Sequence, residues 1–139
     1  MARLPKLEMI MSSLRKQLSA AATAQALMVN AETYGVEKDR HISRFRFSKH
    51  NLNMVTGKAL LDPQFLQELR GVLWEIGFTM VELPDGDYAF IETSKIDVWP
   101  RVGWGRLDPV LRSSDPELAI EIEFNKCFPE FKSELSLDD

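Results

Sequence analysis

The stretch from Asp62 to Ile91 constrains the fold most, because it joins a capped amphipathic helix directly to a hairpin signal. Asp62 is a good N-cap residue, and Pro63 suits the first helical position, where its missing N–H costs nothing. Phe65, Leu66, Leu69, Val72, Leu73 and Ile76 recur at steps of three and four, which places them on one face. Gly77 closes the helix. Two alternating runs follow, Phe78–Leu83 and Asp87–Ile91, around Pro84-Asp85-Gly86. Asp-Gly between alternating runs predicts a tight two-residue hairpin turn, since positive φ is needed at its centre. Helix and hairpin together predict an α+β fold.

Upstream, Leu4, Leu7, Met11, Leu14, Leu18 and Ala21 also alternate steps of three and four. This predicts one long helix, or two in series, from about Pro5 to Tyr34, with Gly35 as its stop. Between Ala20 and Leu27 the helix carries an Ala-rich face that suits close packing, either within the chain or against a second copy. In Arg44-Phe45-Arg46-Phe47 the aromatic and basic residues alternate as in a half-buried strand. Ser48 then caps a short helix through Val55, with Leu52 and Val55 inward and Gly57 at its end.

The order helix, short strand, two helices, hairpin, over residues 5–92, resembles the winged helix-turn-helix superfamily. Arg44–Phe47 takes the place of the first strand and Asp85-Gly86 that of the wing tip. The resemblance implies DNA binding through the second helix of the turn, residues 63–76. Its outer face offers Gln64, Gln67, Glu68, Arg70 and Glu75, two carboxylates against one cation, which counts against simple insertion into a groove.

Past the hairpin, residues 93–128 read as an ordered arm, with Trp99 and Trp104 pinning the segment up to Arg106, followed by a C-terminal helix. Ser114 is its expected cap and Pro116 its first residue, although Ile120, Ile122 and Phe124 alternate with Glu121 and Glu123 as a strand would. Residues 129–139 form an acidic tail. A chain of 139 residues, 45% hydrophobic, suffices for one domain that needs neither metal nor disulfide. Cys127 has no partner cysteine and reads as a small buried apolar side chain. No apolar run near the N-terminus is long enough for a signal peptide, and none elsewhere is long enough to span a bilayer, so a cytoplasmic location is expected.

Motifs for catalysis are missing. Asp85, Glu92 and Lys95 fail the spacing of the PD-(D/E)xK nuclease pattern, His41 and His50 stand in no ligand pattern, and there is no phosphate-binding glycine loop. The expectation is a protein that is not an enzyme and has no cofactor. Charge is more informative: residues 1–58 balance at +6 and residues 59–139 at −10. If Phe45 and Phe47 face the core, Arg44 and Arg46 project together, either to meet phosphates or to pair with the acidic second half. The first choice predicts a small nucleic-acid-associated regulatory or accessory protein, with DNA contacts from Arg44, Arg46, Lys49, Lys58, Arg70, Arg101 and Arg106. The alternative is a protein-interaction or dimerisation module on the same fold, using the N-terminal helix.

Overall fold

The computed structural model describes residues 15–131. The chain divides between Trp99 and Pro100 into two compact units, and every buried side chain among the described residues lies in the first. The architecture is mixed α+β, and the first unit follows the expected order of helix, short strand, two helices and hairpin.

Helix α1 spans Ala20–Lys38. Ser19 caps it by accepting from the N–H of Ala22 at 3.1 Å, so the helix begins later than the periodicity predicts; residues 15–19 are not helical, and residues 5–14 lie outside the described residues. It also runs past Gly35, the expected stop, to Asp39, which takes the left-handed conformation at φ 53°. Gly35 serves a different purpose. A Cβ there would sit 2.5 Å from the carbonyl oxygen of Arg40, so the glycine lets the chain fold back across the helix. The Ala-rich face is buried: Ala20, Thr23, Ala24, Leu27 and Ala31 line the core side of α1, which packs on α3. That face is therefore occupied within the chain.

Strand β1 is Arg44–Phe47 and helix α2 is Lys49–Thr56, capped by Ser48 and ended by Gly57. Its fully inward residues are Leu52 and Thr56, where Val55 was expected beside Leu52. Helix α3 is Pro63–Glu75, with the Asp62 carboxylate accepting from the N–H of Phe65 at 2.7 Å. Phe65, Leu66, Leu69 and Leu73 are buried, whereas Ile76, at the helix end, is exposed.

Strands β2 (Phe78–Glu82) and β3 (Tyr88–Glu92) form the hairpin, and β1 pairs antiparallel with β3 in the order β1-β3-β2. The connection is a three-residue loop, not a two-residue one. The N–H of Gly86 donates to Leu83 O, the N–H of Leu83 donates to Asp87 O, and within the loop only Gly86 has positive φ, at 93°. Pro84 and Asp85 thus make an ordinary turn, and the glycine supplies the left-handed step. Phe90, Met80 and Tyr88 face inward onto Leu27, Leu52, Leu69 and Leu73, and Phe45 stacks on Phe90 at 4.9 Å. A short helix, α4 (Thr93–Asp97), not anticipated from the sequence, closes the first unit.

The second unit contains a 3-10 turn at Gly105–Leu107, helix α5 at Asp108–Leu111, helix α6 at Pro116–Cys127 and a 3-10 turn at Pro129–Phe131. The alternation at residues 120–124 therefore belongs to a helix. Asp115, not Ser114, caps α6 by accepting from the N–H of Leu118. Cys127 is exposed, contrary to expectation, and Trp99 and Trp104 are 57% and 66% exposed, so neither tryptophan pins the arm. No helix among the described residues is long and apolar enough to cross a membrane.

Candidate functional site

The hydrogen-bond phase of the sheet decides which groups of β1 are left over. Ser43 and Glu92 form a hydrogen-bonded pair, with the N–H of Glu92 donating to Ser43 O at 2.8 Å. In an antiparallel ladder such pairs alternate, so Phe45 and Phe47 exchange bonds with Phe90 and Tyr88. The N–H and C=O groups of Arg44 and Arg46 consequently point away from β3. Because β1 is an edge strand, these four groups face the outside of the sheet.

Beyond that edge lies a cleft of about 500 Å³, walled on one side by β1 and on the other by the C-terminal half of α1. Ala31, Tyr34 and Glu37 come from α1, Arg40 and Ile42 from the connector, and Arg44 to Phe47 from the strand. Among the described residues that line it are three arginines and one carboxylate. The connector is held at its base by the fold-back at Gly35 and by a His41 Nε2–Glu92 Oε1 pair that ties it to the end of β3.

The side chains of Arg44 and Arg46 do project from the same face, as the alternation predicts, but their environments differ. Arg46 donates to Asp85 Oδ2 at 2.8 Å and Asp87 Oδ2 at 3.0 Å, a clasp between the edge strand and the hairpin tip. The Asp85 carboxyl is held below its usual range, first by the N–H of Asp87 and also by the Arg46 guanidinium. Among the described residues Arg44 makes no ion pair, and neither do Arg40 or Lys49, the latter exposed at the start of α2. Beside Arg44 and Arg46 the sheet's outer face is apolar, with Val81, Ala89 and Ile91 lining a shallow depression.

Two other predicted contacts of the first unit, Lys58 and Arg70, have partners elsewhere in it. Lys58 sits over the Phe65 ring at 4.1 Å, and Arg70 pairs with Glu82 at 3.4 Å. Arg101 and Arg106 belong to the second unit, where Arg106 donates to Gly103 O at 3.4 Å. On α3 the exposed face carries Gln64, Gln67, Glu68, Gly71 and Glu75, together with Trp74 at 62% exposure. Arg40, Glu37 and Tyr34 were not among the expected site residues; only the strand order reveals that they border an open edge. No group of three His, Cys, Asp or Glu among the described residues is placed to hold a metal ion.

Comparison with protein-family models, curated proteins and solved structures gives no match.

Proposed function

We propose that this chain is a protein-docking module of winged-helix-like topology, which takes an extended segment of a partner along β1 instead of inserting α3 into a DNA groove. The observation that carries this reading is the row of N–H and C=O groups of Arg44 and Arg46, unpaired among the described residues, beside the cleft. Main-chain pairing at such an edge supplies affinity, and the pockets beside it supply specificity. The α3 face supports the same reading, since Glu68 and Glu75 repel phosphates while an exposed tryptophan suits a protein interface. The compartment proposed for it is the cytoplasm, in keeping with a single cysteine that has no internal partner.

Selection of random short peptides on the immobilised full chain tests the reading, with Arg44→Pro as the control. Proline removes the N–H at an edge position that tolerates it. The selection is expected to enrich peptides that bind the wild-type chain and not the variant. Peptides that bind both equally would refute docking at β1.

A second reading, a small nucleic-acid-associated regulatory protein, is favoured by Arg44 and Lys49, exposed cations without an ion pair among the described residues. It requires duplex DNA binding whose log–log salt slope is roughly −2 for two neutralised phosphates, and its loss in Arg44→Glu. Salt-independent or absent DNA binding removes it.

A further inference from the structure

We infer that the β1 cleft selects an acidic extended peptide, one that alternates carboxylate and apolar side chains. The inference rests on the docking reading above and names the partner's chemistry.

The register follows from the backbone. A strand added antiparallel to β1 pairs with the outward N–H and C=O groups of Arg44 and Arg46, so the two residues opposite them exchange both main-chain bonds; in a parallel strand the bonds go to the residues on either side, and the opposed residues still share a face. Directly opposed residues in a sheet share a face, so the side chains of those two lie beside the arginine side chains. The residue between them is opposite Phe45 and turns to the other face, where Ala31 and Tyr34 of α1 offer apolar surface. Acid, apolar, acid is therefore the pattern that matches the edge in either strand direction.

Charge decides between an acidic and a basic occupant. Among the described residues Arg40 and Arg44 border the cleft without an ion pair, and Glu37 is the sole carboxylate lining it. Arg46 is already engaged by Asp85 and Asp87. The carboxylate opposite Arg44 is therefore the one that matters most, and the one opposite Arg46 contributes less. A second copy of this chain fits poorly, because β1 paired with itself would set arginines against arginines.

The test uses fluorescence anisotropy on the full chain with labelled Thr-Val-Asp-Val-Asp-Val-Thr, which reads the same in both directions, alongside versions with Asn or Lys in place of Asp. Roughly tenfold weaker binding is expected for the Asn peptide, a further loss for the Lys peptide, and a roughly tenfold loss for the Asp peptide with Arg44→Glu. Arg46→Gln should change the affinity by less than Arg44→Gln does. Equal binding of the Asp and Asn peptides would overturn the acidic preference and leave edge docking standing. A peptide N-methylated at every Asp and Val keeps the charge and loses the main-chain donors in either strand direction. If it binds as well as its parent, edge docking itself fails, and this holds without altering the protein. A labelled DNA duplex that displaces the peptide and binds more tightly would also overturn the inference.

Discussion

Two glycines show how differently the same residue type acts in this chain. Gly35 lies in α1 with the Arg40 carbonyl 2.5 Å from where a Cβ would be, whereas nothing comes within 4 Å of a Cβ at Gly71 in α3. Gly71→Ala should stabilise the protein by about 0.5–1 kcal/mol through helix propensity. Gly35→Ala should destabilise it by about 1–3 kcal/mol, because a backbone carbonyl must move. Urea unfolding of the two variants measures both, and equal signs would show that the fold-back at Arg40 is loose. Thr23 offers a second residue-scale prediction: it is fully buried and its Oγ1 has no hydrogen-bond partner among the described residues. Thr23→Val should stabilise by about 1 kcal/mol by removing a desolvated hydroxyl, read as a raised urea midpoint at unchanged slope. Neither effect is visible in the sequence. A glycine after a long apolar periodicity looks like a stop, and a threonine among alanines looks like a neutral helix position.

Elements held together by local chemistry were the most legible. Asp62-Pro63, the spacing of Phe65 to Leu73, and Pro84-Asp85-Gly86 each act within a few residues, and the helix and hairpin stand where they predict. The exact loop length was missed because Asp-Gly fits both a two-residue turn and a three-residue loop with glycine last. Pairing of β1 with the hairpin tip spans 39 positions between Arg46 and Asp85, and no local pattern encodes it. That clasp has a pH signature. The folded Asp85 carboxyl is depressed, mainly by the Asp87 N–H and then by Arg46, so its contribution to stability is present above the ordinary value of 3.8 and is lost as pH falls through the lowered one. Asp85→Asn should flatten the acid limb of the stability profile in that window, lowering stability near pH 6 and leaving it little changed near pH 2, as followed by urea midpoints from pH 2 to 6. An unchanged acid limb would mean that the clasp is not coupled to folding.

At the scale of the molecule, stability is concentrated in one part of the chain. Ala24, Leu27, Leu52, Leu69, Leu73 and Phe90 bring α1, α2, α3 and the sheet into a single core within the first unit. Between Pro100 and Phe131 no residue is buried, and Leu118, Ile120 and Ile122 on α6 remain exposed. Composition concealed this difference, since the sequence of α6 is as apolar as that of a core helix and its caps are sound. Apolar burial is what offsets the entropy of ordering a helix, and a twelve-residue helix without it is marginal in water. Amide hydrogen exchange on the full chain should therefore find the α6 amides open by local fluctuation, roughly a hundredfold less protected than those of Leu69 and Leu73, which exchange only through global unfolding. Destabilising the core with Leu69→Ala, at a cost of about 2–5 kcal/mol, should lower protection in α1 and α3 and leave α6 unchanged. If the α6 amides instead fall together with those of α3, the helix belongs to the same cooperative unit, and its exposed leucine and isoleucines do not reflect its stability.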